Sequence, residues 1–110
     1  MNVAGNFFDG ALPPLATETA ETLAQLGDVS IERIVSHRAA SPPDFWYDQD
    51  WDEWVMLLRG EAELRMETGE PQRLRAGDYR LIPRRAKHRV ESTSADALWL
   101  AVHVGRSLAE

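Results

Sequence analysis

The 110-residue sequence contains no cysteine, which excludes disulfides, thiolate metal centres and cysteine nucleophiles. It also lacks any apolar run approaching the ~18 residues needed to cross a bilayer. The opening MNVAGNFFDG has neither the basic residues nor the long apolar stretch of a secretory leader. The expectation is a cytoplasmic protein with no membrane partner. Positive charge is in short supply as well: 12 Lys and Arg stand against 18 Asp and Glu, for a net charge of -6, which argues against a nucleic-acid partner. No serine elbow, phosphate loop, dinucleotide fingerprint or zinc-protease helix is present, which sets aside most cofactor enzymes and triad hydrolases.

What remains is enough chain for one hydrophobic core. The segment LATETAETLAQLGDVS carries a helical pattern, with Leu15, Ala16, Leu23 and Leu26 on one stripe, Thr17 or Thr19 as a cap and Gly27 as a stop. It predicts a short helix near residues 17–26, in an N-terminal arm (1–29) packed on a barrel (30–110). A period near two takes over afterwards, in SIERIVS, DFWYD, EWVMLLR, AELRMET, QRLRA, YRLIP, HRVEST and ALWLAVHV. Gly, Pro, Asp or Ser bound most of these, with tight reversals expected at Gly60 and Gly69. So many short strands indicate an all-β sandwich or barrel. Two strands are apolar on both faces: Val55 and Leu57 oppose Trp54, Met56 and Leu58, and Leu98, Leu100 and Val102 oppose Trp99 and Ala101. In so small a domain the second face needs a cover, which is either the arm or a second subunit, and a homodimer is the expectation. Charge is segregated, with seven basic residues between Arg73 and Arg89 and nine acidic ones between Asp44 and Glu70. This reads as two solvated faces or as a basic rim drawing in an anionic small molecule.

Residues 77–92 resemble the second motif of the cupins, G-x5-P-x-G-x2-H-x3-N. Gly77, Pro83 and His88 match, while Arg85 and Ser92 stand in the glycine and asparagine places. The end of the first cupin motif is similar to EWVMLLRG, with Glu53 and Gly60 at the required spacing. The chain is thus identified as resembling small bacterial cupins of unassigned function, and the resemblance covers roughly residues 30–105. It implies a double-stranded β-helix, that is, a jelly-roll barrel. It also implies a site where cupins hold a divalent metal with two first-motif histidines, the glutamate and the second-motif histidine. Both first-motif histidines are missing here: Tyr47 and Gln49 occupy their places in the alignment that the strand pattern prefers, Trp46 and Asp48 in the other.

The candidate catalytic residues are therefore Glu53 and His88, one carboxylate and one imidazole expected to face the barrel interior. With Gln49 they form the candidate metal set for Zn, Fe, Mn or Ni, although a first-row ion usually takes more strongly donating protein ligands. Asp48 and His103 are further donors, His103 lying on the Trp99 face. Without a metal, Tyr47, Gln49, Trp54 and Trp99 are the candidate ligand-binding residues around an apolar cavity with convergent polar groups. A His–Glu pair there suits proton exchange, as in isomerisation. The functional expectation is a small-molecule-binding cupin with its cavity around Glu53 and His88, which leaves a divalent metal and isomerase- or oxygenase-type catalysis open, the missing histidines counting against an intact dioxygenase site. The alternative is a non-catalytic sensor or accessory protein without metal.

Overall fold

A computed structural model describes residues 4–10 and 17–106. The described residues contain eight strands and no helix: β1 Thr17–Leu26, β2 Val29–His37, β3 Asp52–Arg59, β4 Glu61–Met66, β5 Gln72–Arg75, β6 Tyr79–Ile82, β7 His88–Thr93 and β8 Ala97–Val104. All pairings between these strands are antiparallel. They form a five-stranded sheet, β1-β2-β8-β3-β6, and a three-stranded sheet, β5-β4-β7. Two facing antiparallel sheets with crossing connections are the jelly-roll arrangement that the sequence implied.

The helix expected near residues 17–26 is instead strand β1, hydrogen-bonded along β2 from Thr17–His37 to Leu26–Val29. Leu15 and Ala16 of the expected stripe lie outside the described residues. Two local features explain the correction. Thr17, Thr19 and Thr22 are β-branched and fit an extended edge strand better than a helix turn. Gly27 does not end a helix: with φ of 62° it opens a two-residue Gly-Asp turn, a strong hairpin signal between two apolar segments. The segment DFWYD also departs from expectation. It forms no strand, and only Tyr47 bridges to His88.

Strand alternation places an apolar layer and a polar layer in one interior. Along β3 the inward side chains are Leu57, Val55 and Glu53; along β8 they are Ala97, Trp99, Ala101 and His103, all buried. The core joins these apolar residues to Ala62, Leu64, Met66, Leu74 and Ile82. Leu57 and Leu74 are fully enclosed, and each stabilises the fold by about 1.5–3 kcal/mol. Trp99 spans the two layers, and its indole N–H donates to Ser36 Oγ at 3.2 Å. The apolar layer closes one end of the barrel, while Glu53 and His103, directly paired across β3 and β8, face the other.

Gly60, which closes the first-motif spacing, shows why glycine is required at the β3–β4 reversal. Its φ is 85°, and a Cβ there would stand 2.4 Å from Ser94 Oγ and 2.9 Å from Ala97 Cα. Gly69 has a φ of 103° but open space around it. Gly60→Ala therefore adds a backbone clash to the left-handed strain of about 1 kcal/mol that Gly69→Ala also carries. Thermal denaturation of both variants should show the larger fall in Tm for Gly60→Ala. Equal falls would mean that the Ser94 and Ala97 contacts relax freely.

Candidate functional site

The open end of the barrel encloses a cavity of about 200 Å³. The five-stranded sheet contributes Glu18, Glu32, Glu53, Trp99 and His103 to its wall, and the three-stranded sheet contributes His88. Tyr47 and Gln49 enter from the segment before β3, and Arg106 follows β8. Five of the sequence candidates, Tyr47, Gln49, Glu53, His88 and Trp99, thus meet in one space, together with the further donor His103. Trp54 does not join them: it lies on the outer face of the five-stranded sheet, its ring 5.6 Å from that of Tyr79.

The segment carrying Tyr47 and Gln49 is tied to β7 rather than paired in a sheet. Arg89 donates to the carbonyls of Ser41, Pro42 and Phe45 at 3.0–3.3 Å. Tyr47 and His88 exchange backbone hydrogen bonds of 2.7 and 3.1 Å, and their rings stack with centroids 5.4 Å apart. The Arg85 backbone N–H donates to the Gln49 carbonyl at 2.6 Å. Arg85 holds a φ of 65°, the left-handed conformation for which cupins use glycine at this place. The backbone requirement of the motif survives although the residue type does not.

At the centre Glu53 stands between two imidazoles: its Oε1 is 3.9 Å from His88 Nε2 and its Oε2 is 3.9 Å from His103 Nε2. Hydrogen bonds on the far side of each ring assign opposite tautomers. His88 Nδ1 lies 3.0 Å from the Ala86 carbonyl oxygen; a carbonyl only accepts, so Nδ1 carries the proton and Nε2 presents a lone pair to the cavity. The Trp51 indole N–H donates to His103 Nδ1 at 2.8 Å; an indole only donates, so the proton of neutral His103 is on Nε2, pointing inward. That Nε2 faces Glu32 Oε1 at 3.3 Å, a contact too poorly aligned to make a full hydrogen bond, although the carboxylate still pulls on the ring. Glu32 is committed to Arg106 at 2.6 Å.

Burial dominates the ionisation of this group. It pushes the Glu53 carboxyl up to about 7, assisted by the neighbouring charge of Glu32 and opposed by a hydrogen bond from Gln49 and the charge of Arg106. Burial lowers both imidazoles below the ordinary histidine value, against the opposing pull of the Ala86 carbonyl on His88 and chiefly of Glu32 on His103. The Tyr47 phenol is raised by burial and by the charges of Glu18 and Glu53. Near neutrality the site therefore holds two neutral imidazoles and a carboxyl shared between its acid and base forms.

The donors suit a divalent metal poorly. Among the described residues no group of three or more His, Cys, Asp or Glu side chains is placed to hold one. Trp51 fixes a proton on the inward nitrogen of His103, and the two missing first-motif histidines leave a phenol and a neutral amide in their places. The basic run between Arg73 and Arg89 does not form a rim to the cavity either. Arg73 pairs with Glu61, Arg84 with Asp50 and Arg85 with Asp48, all at the surface.

Sequence reasoning found Glu53 and His88 through motif spacing, and weighed His103, but it missed Glu32, Glu18, Arg106 and the role of Trp51. Glu32 had a usable signal: in SIERIVS it alternates onto the same face as Ser30, Ile34 and Ser36, and all but the half-buried Ile34 are buried.

A raised carboxyl pKa has a definite linkage sign. The native state keeps the Glu53 proton that the unfolded chain releases near 4.5, so stability falls as pH rises from about 4.5 to about 7 and is level above. The full effect is about 3 kcal/mol. The lowered histidines act oppositely, costing stability as pH falls below 6.5. Comparing Tm of Glu53→Gln with that of the parent cancels the histidine part. The advantage of the variant should grow across pH 4.5–7 and then stay constant. A difference that does not change with pH would mean that Glu53 ionises as an ordinary exposed carboxylate.

Comparison with known proteins accounts for this architecture. The cupin domain model matches residues 33–103. A protein from Ralstonia eutropha JMP134, assigned provisionally as a mannose-6-phosphate isomerase, is 38% identical, with a TM-score of 0.86 over 92% of this chain and 96% of that one. KdgF from Halomonas sp. is 20% identical, with a TM-score of 0.73 over 89% and 87% of the two chains. A cupin superfamily protein from Desulfitobacterium hafniense DCB-2 is 16% identical, with a TM-score of 0.72 over 86% and 83%; these last two likenesses concern the fold alone. The search of curated proteins returned no match. With the family model spanning most of the barrel and its motif residues meeting at the cavity, the chain belongs to the cupin family.

Proposed function

We propose that this cupin binds a small organic molecule in the barrel cavity and exchanges protons with it, an isomerase-type activity centred on Glu53. The observation that carries the reading is Glu53 held 3.9 Å from each of two imidazoles with opposite tautomers. A carboxyl with a pKa of about 7 is matched to general-base work at neutral pH. The ionised form takes a proton from a hydroxyl-bearing carbon beside a carbonyl, and the C–H electron pair becomes a carbon–carbon double bond as the carbonyl pair moves onto oxygen. The hydroxyl proton passes to that oxygen, a new carbonyl forms where the hydroxyl stood, and Glu53 returns its proton to the former carbonyl carbon. The inward N–H of His103 supports the developing oxyanion as a neutral donor, a division of labour between glutamate base and neutral histidine that proton-transfer enzymes use elsewhere. His88 Nε2 orients the ligand by accepting a hydrogen bond. The likeness to the Ralstonia eutropha protein supports the reaction class.

A divalent metal would depend on Glu53, His88 and Gln49, a weak set in which one member is a neutral amide; the buried Gln49 Oε1 without a partner is the feature that favours it. Elemental analysis of untagged protein separates the two readings. The expected result is sub-stoichiometric metal in the parent, Glu53→Ala and His88→Ala alike. Near-stoichiometric metal in the parent, lost in both variants, would replace the metal-free reading with a metal centre.

We also infer a homodimer formed through the outer face of the five-stranded sheet. Register sets Leu81, Trp54 and Val102 side by side, with Tyr79, Met56 and Leu100 in the next row. Tyr79 and Leu81 are 63% and 56% exposed, an apolar surface that a second copy would cover. Light scattering at micromolar concentration should give the dimer mass for the parent and the monomer mass for Leu81→Glu; a monomeric parent would refute the interface.

A further inference from the structure

The charges and hydrogen-bonding groups lining the cavity discriminate between ligand classes, beyond marking it as a binding site. Three carboxylates line it, those of Glu18, Glu32 and Glu53. Arg106 is the one guanidinium among the described lining residues, and it is already engaged: it pairs with Glu32 at 2.6 Å and lies over the Trp51 ring at 5.3 Å. A phosphate or carboxylate entering this space would meet uncompensated negative charge in a desolvated setting.

The unpaired polar atoms narrow the class from the other side. His103 is 3% exposed, and its Nε2 makes no well-aligned hydrogen bond, its nearest acceptor being Glu32 Oε1 at 3.3 Å; the Trp51 bond makes that atom a donor. Gln49 Oε1 is buried and unpaired, and His88 Nε2 presents a lone pair because its Nδ1–H is bound to Ala86; both are acceptors. An ammonium only donates and an ionised phosphate or carboxylate only accepts, whereas a hydroxyl does both from one atom. Several hydroxyls on one frame would complete donor and acceptors together. The volume of about 200 Å³ exceeds the ~150 Å³ of a cavity that encloses benzene, which gives room for roughly a monosaccharide. Trp99 and Tyr47 supply flat apolar surface beside these polar groups.

We infer that the cavity takes a neutral, polyhydroxylated compound of about monosaccharide size, an unphosphorylated sugar, and rejects phosphorylated and other anionic ligands. The inference rests on the reading of the cavity as a small-molecule site and specifies its substrate class. Trp51 is then a positioning residue: it never reaches the ligand, but it turns the His103 N–H toward the ligand's hydroxyls.

The test titrates the full-length protein with four neutral hexoses (glucose, galactose, mannose and fructose), with their 6-phosphates, and with glucosamine as a cationic control. Tryptophan fluorescence and Tm are followed together. At least one neutral hexose should bind, with its 6-phosphate weaker by about tenfold or more. Trp51→Phe should weaken that hexose by about tenfold with its melting still cooperative. Imidazole ¹⁵N NMR of the unliganded parent supplies a readout that depends on no ligand: His103 should be protonated at Nε2 and His88 at Nδ1. A 6-phosphate or glucosamine binding as tightly as the neutral sugar would overturn the class while leaving the cavity reading intact. Binding of none of these compounds would overturn both. His103 protonated at Nδ1 would remove the donor on which the argument depends.

Discussion

A carboxylate placed inside a small barrel without a cationic partner of its own is the constraint on which the rest of this structure depends. Glu53 is 6% exposed, and the desolvation of its charge is opposed only by a hydrogen bond from Gln49 and the more distant charge of Arg106. A buried charge without a close partner is costly, and the fold answers by keeping the proton available to Glu53 instead of supplying a cation beside it. The imidazoles on either side remain neutral for the same reason, since burial disfavours their charged forms too. Three groups that would be mostly charged or mixed in water at neutral pH are thus poised at low charge in close quarters.

The tolerance for this arrangement comes from the division of the interior along the strands. The core side chains Leu57, Leu74, Ala97 and Ala101 show no exposure and provide the packing that stabilises the fold, so the open end need not. On β3 the polar and apolar layers are only two residues apart, Val55 next to Glu53. The same alternation on β8 carries Ala101 next to His103. A one-residue slip of either strand would turn the carboxylate or the imidazole out to solvent and Trp54 or Val102 inward. The glycine at position 60, with Ser94 and Ala97 closely packed around it, helps to pin that register at the β3–β4 reversal.

Most of the barrel was legible from period-two alternation and turn residues, because those signals are local. The N-terminal segment was misread because its apolar spacing also fits a helix, and the Gly-Asp hairpin that decides against it becomes visible only when β2 is considered as a partner. The meeting of Glu53 with His88 was legible through motif spacing even though the motif is incomplete. The meeting of Glu53 with Glu32 and His103 was not, because it depends on the order β2-β8-β3 in one sheet, and that order brings together residues distant in the chain. Trp51 stands only two residues before Glu53, but a hydrogen bond from an indole to one particular ring nitrogen has no signature in sequence.

The two substituted histidines of the first motif and the tautomer of His103 belong to one physical argument. A metal-ligating imidazole must present a bare nitrogen to the ion and commonly donates its other N–H outward. His88 keeps that arrangement through Ala86. His103 has the reverse, because Trp51 donates to its outer nitrogen and leaves the proton inside. Tyr47 and Gln49, in the places of the lost histidines, are respectively a phenol whose ionisation is made harder by burial and an amide with no charge to offer. Each change moves the cavity from electron-pair donation toward mixed hydrogen bonding. A wall that both gives and accepts hydrogen bonds binds hydroxyl groups more readily than it binds ions.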